Sequence, residues 1–422
     1  MSKLKILHIN ASTAGGAFTV AQRLSIALQE RGIVQSKHLV FEGKKGKYVL
    51  WANSYLKMKF AFFLHALDKL DFLRFEKNKK MRFLFNHGST GIDISNHPSV
   101  KEADILHLHW VHKGFQSFQS LNNLLKLGKP IVWTCHDLWP VTGGCYYTWE
   151  CNNHETGCGN CQFLKNGNDN DLSHRLFLMK EKLWGNNEIR FLTPSNWLAN
   201  IGAVSRIMDK NRPFTVTPNP IDCNAYFPST SVQKQNYKRH FGLNDTLHVI
   251  LFAAASLTNK AKGFHEFQLL CNQLKARDSK VQILIIGDLK DGTIEINLPY
   301  KHLGFVSDEN IVKMAYGASD IYVTTSLEDN LPTTVMESLS CGLISCGFRV
   351  GGIPELIDHN ENGFIVEKGD VNALAGCILD ILGDSEKFQK FSANARKKAL
   401  DSYDLPIVCA QIEKFYNEIS PN

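Results

Sequence analysis

A short apolar strand, a glycine-containing turn and an amphipathic helix recur along this chain, and this alternation constrains its fold more than any other feature. The first copy has an apolar stretch at 4–10, the pair Gly15-Gly16, and a helix over 18–31 with apolar side chains at helical spacing. Later copies predict strands over 103–108, 130–134, 248–254, 281–286 and 321–325, and helices over 118–127, 264–277, 311–316, 333–340 and 407–419. The pattern predicts α/β domains in which helices cover a parallel sheet.

The chain divides into two halves near 218–222, where two prolines flank an asparagine. A polar stretch without apolar periodicity follows at 229–237, and we expect it to form the domain linker. The predicted domains are therefore 1–222 and 238–405, and the helix over 407–419 is expected to fold back onto the first domain. Because such sheets bind ligands at the carboxyl ends of their strands, a cleft between the two domains is the expected ligand site.

Composition excludes several classes of protein. The 422 residues are 44% apolar and 21% charged, which excludes a disordered chain. The net charge of +6 suits an acidic small ligand but is too small for a nucleic-acid-binding protein. No stretch approaches the ~18 uninterrupted apolar residues of a membrane span. The first ten residues become polar too quickly for a signal peptide, so a cytoplasmic location is expected.

The segment 326–338 concentrates side chains that suit a nucleotide ligand. A strand runs into a polar turn here, and a helix follows with Pro332 in its first turn. The N–H groups of that turn, with the hydroxyl of Thr333, would form an anion site suited to a diphosphate. Glu337 can accept hydrogen bonds from the vicinal hydroxyls of a ribose. The alternative interpretation is a helix-capping Asp329 and a solvent-facing Glu337.

Two other turns favour ligand binding. Lys260 and Lys262 precede Gly263 between a strand and a helix, where a lysine can reach a phosphate as a point charge. Gly15-Gly16 occupies the equivalent turn of the first half and allows the backbone to approach a ligand closely. Each turn is weak evidence alone, and together they favour an anionic ligand.

A series of motifs, in order along nearly the whole chain, resembles glycosyltransferase family four, the retaining transferases of GT-B architecture. Asp329-x7-Glu337 is similar to the family's E-x7-E signature, and Lys262-Gly263 is similar to its K-G motif. The other matching motifs are Gly15-Gly16-Ala17, Thr134-Cys135-His136-Asp137, Thr193-Pro194-Ser195-Asn196, Pro218-Asn219-Pro220-Ile221-Asp222, Gly351-Gly352-Ile353-Pro354-Glu355-Leu356-Ile357 and Asn362-Gly363-Phe364. Two more motifs resemble the bacterial colanic-acid, capsular and exopolysaccharide transferases: Ser326-Leu327-x-Asp329-Asn330-Leu331-Pro332 and Trp139-Pro140-x-Thr142-Gly143-Gly144-Cys145.

The resemblance implies two Rossmann-like domains that face each other across a cleft, with the acceptor on the N-terminal side and the donor on the C-terminal side. It implies transfer of a hexose-type sugar from a UDP- or GDP-sugar, with retention of anomeric configuration. The expected acceptor is an oligosaccharide, linked to polyprenyl diphosphate, in bacterial surface polysaccharide biosynthesis. Front-face displacement, in which the leaving phosphate helps to deprotonate the acceptor hydroxyl, is the implied mechanism. No cofactor is expected to be required for catalysis.

Family roles carry over to individual positions. By resemblance, Glu337 holds the donor ribose, Lys262 neutralises the diphosphate, and Gly16 lets its backbone approach the β-phosphate. His136 would lie beside the transferred sugar, and the loop Gly304-Phe305-Val306 resembles the loop that contacts the nucleobase. The implied catalytic residues are His136, Lys262, Asp329 and Glu337. The implied donor-binding residues are Gly15, Gly16, Lys260, Lys262, Val306, Asn330, Leu331, Thr333 and Glu337.

Two positions depart from the family pattern. Asp329 stands in place of the first glutamate and is one methylene shorter, so the neighbouring Glu328 is an alternative for that role. Leu257 stands where the family often has an arginine, five residues before the K-G lysine, so Lys260 is expected to substitute for it.

Four of the eleven cysteines cluster in a C-x5-C-x6-C-x2-C pattern within an insertion at 145–161. They are Cys145, Cys151, Cys158 and Cys161. Thiolates at such spacing predict a tetrahedral structural zinc, with His154 as an alternative ligand. Since four ligands leave no position for water, no catalysis is assigned to this site. The alternative is four unpaired thiols or two disulfides.

The segment 57–82 has eight Lys/Arg against three Asp/Glu, interleaved with nine Phe and Leu residues. It is typical of an element that lies on an anionic membrane surface, here the inner face of the cytoplasmic membrane. The alternative is a packed helix whose lysines extend to solvent.

Two other functions are compatible with these motifs. A GT-B sugar-nucleotide epimerase would use the same donor site, but it would not need an acceptor-side insertion or a membrane-binding segment. A zinc-stabilised binding protein, including a nucleic-acid binder built on the cysteine cluster, lacks a basic stripe near those cysteines.

Overall fold

The computed structural model describes residues 3–44, 46–52, 55–208, 213–277, 279–290 and 292–420, with backbone only for 55–58, 61 and 83. The chain forms two compact units, Met1–Thr217 with Cys409–Asn422 and Pro218–Val408. The second unit thus begins at Pro218, not after a linker at 229–237.

The first unit is a parallel sheet with helices along it. Its described strands are β1 (Lys5–Ser12), β2 (Gln35–Glu42), β3 (Val49–Trp51), β4 (Ile105–Leu108), β5 (Ile131–Thr134), β6 (Ile189–Thr193) and β7 (Thr215–Val216). Its described helices are α1 (Gly16–Glu30), α2 (Tyr55–Phe72), α3 (Pro98–Glu102), α4 (Phe118–Leu125), α5 (Leu172–Gly185) and α6 (Asn196–Val204). The strand order is β3-β2-β1-β4-β5-β6-β7, so the order reverses between β1 and β4.

Alternate side chains of β1 point to opposite faces of this sheet. Leu7 and Ile9 belong to a large apolar core on one face. On the other face, His8 lies in register with His38 of β2 and with His107 of β4. Three fully buried histidines therefore form a row across the middle of the sheet, which apolar periodicity in the sequence does not reveal.

The second unit repeats this architecture. Its described strands are β8 (His248–Ser256), β9 (Val281–Asp288), β10 (Tyr300–His302), β11 (Ile321–Thr324), β12 (Ile344–Phe348) and β13 (Gly363–Val366). Its described helices are α7 (Ser231–His240), α8 (Phe264–Ala276), α9 (Glu309–Ala318), α10 (Thr333–Ser340), α11 (Ile353–Leu356), α12 (Val371–Gly383) and α13 (Ser385–Ser402). The order β10-β9-β8-β11-β12-β13 is parallel and reverses between β8 and β11. The C-terminal helix α14 (Leu405–Ile419) carries the chain back into the first unit.

The predicted linker at 229–237 is wrong, because most of it is α7. Thr230 caps this helix, since its side chain accepts from the Gln233 N–H and the Gln233 side chain accepts from the Thr230 N–H. This reciprocal capping box starts a helix without an apolar stripe. Lys238 and Lys234 anchor the helix: Lys238 donates to the Leu247 carbonyl at 2.8 Å, and Lys234 pairs with Asp320 at 2.6 Å.

The other predicted elements lie within a few residues of those observed, and helix 333–340 coincides with α10. Among the residues that the structure describes, no helix is both long and apolar enough to cross a bilayer.

Candidate functional site

A set of polar contacts in the second unit lies where the sheet order reverses, at the carboxyl ends of β8 and β11. A single 3-10 turn, Lys260–Lys262, follows β8, and the segment 325–332 follows β11. In parallel α/β sheets this switch point is the usual ligand site, because the two following loops diverge there and leave a crevice.

Lys262 and Asp329 meet across this point. The Nζ of Lys262 lies 2.7 Å from Oδ2 of Asp329, and the Ser326 hydroxyl donates to the same oxygen at 3.2 Å. The side chain of Asp329 is 10% exposed, whereas 28% of the Lys262 side chain remains accessible. The pair therefore holds a partly accessible cation on a buried carboxylate.

The backbone around Lys262 explains the glycine that follows it. Gly263 has φ 65°, and a Cβ there would lie 1.7 Å from the Thr325 carbonyl oxygen. The Thr325 hydroxyl donates to the Gly263 carbonyl at 2.7 Å, and the Leu327 N–H donates to the Ala261 carbonyl at 2.8 Å. Only glycine allows the two loops to approach this closely, so the Lys-Gly pair fixes the position of the lysine.

A second glycine contact holds Asp329 from the other side. Gly351 has φ 58°, and a Cβ there would lie 1.6 Å from the Asp329 carbonyl oxygen. The Gly352 N–H donates to the Asn330 carbonyl at 2.8 Å. Both glycines of the Gly351-Gly352 motif thus shape the loop that carries the carboxylate.

Glu337 lies inside the unit on α10. It is 7% exposed, and the buried Tyr316 hydroxyl lies 3.1 Å from both its Oε2 and the Thr334 carbonyl, which share the single hydroxyl proton. Burial raises the pKa of Tyr316 well above its usual range, so this hydroxyl remains a donor. The alternative of a solvent-facing Glu337 is therefore wrong. A capping Asp329 is also wrong, because Pro332 occupies the N-cap and no side chain caps α10.

The remaining predicted residues of this unit lie in the same loops or near them. Lys260 is exposed on the 3-10 turn, and Thr333 begins α10. Asn330 and Leu331 are buried in the loop before that helix, where Asn219 donates to the Leu331 carbonyl at 3.2 Å. Val306 is half-buried and lies two residues after Gly304. The Gly304 carbonyl accepts from the Gly287 N–H at 2.9 Å, which ties this loop to the end of β9.

Sequence reasoning missed Tyr316 and the role of Asn219. Nothing in the helical pattern distinguishes Tyr316 from an ordinary core residue, since its hydroxyl meets a side chain 21 positions away. Asn219 lies within the motif Pro218-Asn219-Pro220-Ile221-Asp222. The motif marked this residue, but it did not predict the contact with Leu331.

In the first unit, Gly15 and Gly16 form the turn between β1 and α1. Gly15 has φ 91° and accepts the Thr19 N–H at 3.1 Å, and Gly16 begins the helix. A Cβ at either glycine would meet no described atom within 4 Å. The positive φ explains a glycine at position 15, but neither backbone conformation nor packing inside the unit explains Gly16, whereas close approach of a ligand would.

His136 lies two residues beyond the end of β5. Its Nε2 is 3.1 Å from Nδ1 of His109, whose Nε2 is 2.9 Å from Nδ1 of His8. Burial lowers the pKa of His136 to about 4. His107 hydrogen-bonds the Thr134 hydroxyl at 2.7 Å and the Tyr416 hydroxyl of α14 at 2.6 Å. His107 and His109 are thus buried within a polar network.

The four clustered cysteines are half-buried and unpaired by disulfides. Among the described residues, the ligand atoms of these cysteines do not form a group of three or more within 4.8 Å of one another. His8, His107 and His109 do form such a group. Burial raises the pKa of Cys158 to about 12 and that of Cys161 to about 11. The zinc assignment remains a prediction.

Comparison with known proteins places this geometry in a family. Residues 233–398 match the family model of glycosyl transferases group 1. The matched residues include both loops of the switch point. The N-acetyl-alpha-D-glucosaminyl L-malate synthase of Bacillus anthracis is 24% identical over 52% of this chain and 57% of its own length. The chain spans about half the length of the first curated relatives it matches.

Two further similarities extend along more of the chain. The putative colanic acid biosynthesis glycosyl transferase WcaC of Escherichia coli K12 is 26% identical over 81% of this chain and 82% of its own length. The crystal structure of Anabaena HepE in complex with UDP-glucose matches with a TM-score of 0.66 and 15% identity, over 98% of this chain and all of that one. At this identity the likeness shows the fold, which is the GT-B fold that the sequence predicted.

The second unit of this chain therefore contains a glycosyl transferases group 1 domain, over residues 233–398.

Proposed function

We propose that this protein transfers a hexose-type sugar from a UDP- or GDP-sugar to an oligosaccharide acceptor, in the biosynthesis of a bacterial surface polysaccharide. The observation that carries this proposal is the meeting of Lys262 with Asp329 at the switch point of the second sheet, with Glu337 on the adjoining helix. The similarity to the colanic acid transferase supports the polysaccharide assignment.

The second unit supplies the nucleotide site. Lys262 is a cation held in place by Asp329, and the first N–H groups of α10 add a partial positive charge for a diphosphate. Glu337 is oriented by Tyr316 for hydrogen bonds to ribose hydroxyls. HepE, a structural neighbour, was crystallised with UDP-glucose, which supports a nucleotide-sugar ligand. Lys260 and Val306 would complete the phosphate and base contacts.

The proposed chemistry relies on charge stabilisation. As the bond to the sugar breaks, negative charge grows on the β-phosphate of the leaving nucleotide, and Lys262 stabilises it. That phosphate oxygen then accepts the proton of the acceptor hydroxyl on the same face of the sugar, which retains the anomeric configuration. Asp329 keeps Lys262 positioned throughout the reaction.

The first unit would contribute the sugar and acceptor side. The open turn at Gly15-Gly16 lets backbone N–H groups approach the phosphate, and His136 would hydrogen-bond the transferred sugar. A 230 Å³ cavity in this unit suits the acceptor. Three cations and one carboxylate line it, Lys69, Arg82, Lys113 and Asp68, together with aromatic rings that include Trp110 and Tyr146.

The electrostatics of this cavity favour an anion. The pKa of Lys69 is lowered, first by burial and then by the charges of Lys113 and Arg82, although the charges of Asp68 and Glu76 oppose the shift. Glu76 pairs with Arg82 at 2.6 Å, and Glu42 lies 3.7 Å from Lys113. The diphosphate of a polyprenyl-linked oligosaccharide would relieve the repulsion between the cations, and the aromatic rings would stack on its sugars.

The helix beside this cavity supports a lipid-linked acceptor. Three large apolar side chains of α2 are at least 58% exposed: Phe60, Phe63 and Leu70. Large exposed apolar side chains on a helix that also carries lysines are typical of an element that enters the membrane interface. The side chain of Lys57, part of the predicted segment 57–82, lies outside the described residues.

Nucleotide binding tests the donor site directly. UDP and GDP are added separately to the purified protein, and the thermal midpoint of unfolding is compared with that of Lys262→Ala and Glu337→Ala. We expect stabilisation by one nucleotide, lost in both variants and kept in the exposed-site control Glu367→Gln. Stabilisation that survives both variants would contradict the site assignment.

The reaction is tested by NMR of the anomeric proton during turnover of the preferred donor with a polyprenyl-diphosphate oligosaccharide. We expect a product with the donor's anomeric configuration. Conversion of the donor sugar in the absence of acceptor would instead favour an epimerase.

A further inference from the structure

Five histidines meet in the first unit. His8, His38 and His107 lie side by side on three neighbouring strands, and His109 and His136 continue the group along the same face. Five imidazoles in a protein core are costly to desolvate, so the arrangement calls for a physical explanation.

Three of these rings form a head-to-tail chain. Nε2 of His136 meets Nδ1 of His109 at 3.1 Å, and Nε2 of His109 meets Nδ1 of His8 at 2.9 Å. The ring planes differ by only 29° and 17°, with centroids 5.4 and 5.2 Å apart. Both contacts are therefore edge-to-edge hydrogen bonds close to the ring planes.

All three rings are neutral around pH 7. Burial lowers the pKa of His8 to about 3 and that of His136 to about 4, and it lowers the pKa of His109 well below its usual value. A neutral imidazole has one N–H and one lone pair, so each hydrogen bond of the chain has a single direction.

The free end of the chain decides that direction. Nε2 of His8 is buried and has no hydrogen-bond partner among the described residues. A buried N–H without an acceptor is rarer in proteins than a buried lone pair without a donor, so the proton of His8 belongs on Nδ1. His8 then donates to His109, which must carry its own proton on Nδ1, and His109 donates to His136.

We propose that His109 and His8 are positioning residues that hold His136 as the tautomer with its proton on Nδ1 and with Nε2 as an acceptor. His136 then carries its N–H on Nδ1 and is unable to donate through Nε2. The functional consequence rests on the proposed function, in which His136 contacts the transferred sugar.

A metal ion bound by His8, His107 and His109 does not explain the arrangement. Their nitrogens lie within 4.8 Å of one another. However, the rings of His107 and His109 stack at 4.2 Å with planes 24° apart, so their lone pairs do not converge on one point. Both nitrogens of His107 already bond to hydroxyls, those of Thr134 and Tyr416.

The tautomers can be observed without any assay of activity. Long-range proton–nitrogen NMR of the full-length protein, labelled with ¹⁵N-histidine, distinguishes an Nδ1–H ring from an Nε2–H ring. The signals of His136 and His109 are assigned by their loss in His136→Gln and His109→Asn. We expect both rings to be Nδ1–H at pH 7, and an Nε2–H signal for His136 in the wild-type chain would overturn the proposal.

Two substitutions of His109 separate positioning from packing. His109→Asn places an amide N–H where Nδ1 was, so it should keep His136 as the Nδ1–H tautomer. His109→Phe keeps the ring stacked on His107 but removes the donor, so nothing then fixes Nε2 of His136 as an acceptor and the Nδ1–H form should no longer be the exclusive one.

In transferase assays with the preferred donor, we expect kcat to fall about 10- to 100-fold in His109→Phe, with little change in KM, and to recover in His109→Asn. Equal NMR spectra and equal activities for the two variants would overturn the proposal. If the wild-type chain shows no transferase activity, the proposed function fails, while the NMR result still decides the tautomer.

Discussion

The ammonium group of Lys262 lies 2.7 Å from a carboxylate oxygen of Asp329, a residue 67 positions further along the chain. The contact joins the two loops that diverge at the switch point of the second sheet. Two glycines that accept no side chain, Gly263 and Gly351, hold those loops in place. The backbone positions that carry the two side chains are therefore fixed, which keeps Lys262 and Asp329 within reach of each other.

Asp329→Asn should lower kcat/KM about 10- to 100-fold, because the neutral amide no longer holds Lys262 where the leaving phosphate develops charge. Steady-state kinetics with the preferred donor measure this effect. Asp329→Glu, which restores the family's longer acid, should retain most of the activity. Glu328→Gln is the matched control, since Glu328 is equally buried and adjacent. A larger loss in Glu328→Gln than in Asp329→Asn would assign the role to Glu328.

Tyr316→Phe should weaken nucleotide binding about 3- to 10-fold, because Glu337 loses the hydroxyl that orients it. The same change should cost about 1–2 kcal/mol of unfolding free energy, since the buried Glu337 oxygen loses a hydrogen bond. Calorimetric titration and urea denaturation measure the two effects. Tyr322→Phe removes a neighbouring hydroxyl that donates to the Ala253 carbonyl at 3.3 Å, and it serves as the control. Equal affinities for both variants would contradict the orienting role.

The fold was largely predictable because strand and helix periodicities are local. The pattern at 333–340 predicts α10 with its bounds, since a polar turn and Pro332 define its start and apolar spacing defines its length. The error at 229–237 has a physical cause. α7 has no apolar stripe, and its stability comes from a capping box at Thr230 and from anchored lysines, signals that periodicity does not contain.

The site was only partly predictable, because its remaining contacts join residues that are distant in sequence. Motifs predicted Lys262, Asp329 and Glu337, but not that Tyr316 would orient Glu337. The histidine row depends on strand register. His8 faces His38 and His107 because β1 pairs with both neighbouring strands at that level, and register is set by the whole sheet.

Stability should fall steeply as pH drops below about 6.5. In the unfolded chain each histidine binds a proton near pH 6.5, whereas burial lowers the pKa of His136 to about 4 and that of His8 to about 3 in the folded protein. Between those values the unfolded state binds more protons, so each such residue removes about 1.4 kcal/mol per pH unit of acidification. Urea denaturation at several pH values between 5 and 8 measures the slope.

His38→Leu should reduce that slope and stabilise the protein at pH 7 by about 1 kcal/mol. Both ring nitrogens of His38 are buried without a hydrogen-bond partner among the described residues, and burial lowers the pKa of this histidine well below its usual value. The exposed-site variant His240→Leu is the control. An unchanged slope in His38→Leu would show that this histidine does not contribute to the acid sensitivity.

The purified protein should contain about one zinc per chain if the cysteine cluster binds metal as predicted. Binding must release protons, because burial raises the pKa values of Cys158 and Cys161, so zinc affinity should increase with pH. Elemental analysis measures the zinc, and Cys161→Ser should lose it together with several degrees of thermal stability. Cys377→Ser, half-buried on α12, is the matched control. Zinc-free protein with full thermal stability would contradict the prediction.

The exposed apolar side chains of α2 should bind the protein to anionic membranes. Phe60 and Phe63 are 60% and 58% exposed, so the double variant Phe60→Glu/Phe63→Glu removes buried apolar area from the bound state and adds charge that anionic lipids repel. Cosedimentation with phosphatidylglycerol vesicles measures binding, which should decrease at least tenfold in the variant and weaken with salt in the wild-type chain. Val232→Glu, on an equally exposed apolar residue of α7, should bind like the wild-type chain, and nucleotide-induced stabilisation should be the same in all three proteins. If the double variant sediments with the vesicles as much as the wild-type chain does, these two side chains do not contribute to membrane binding.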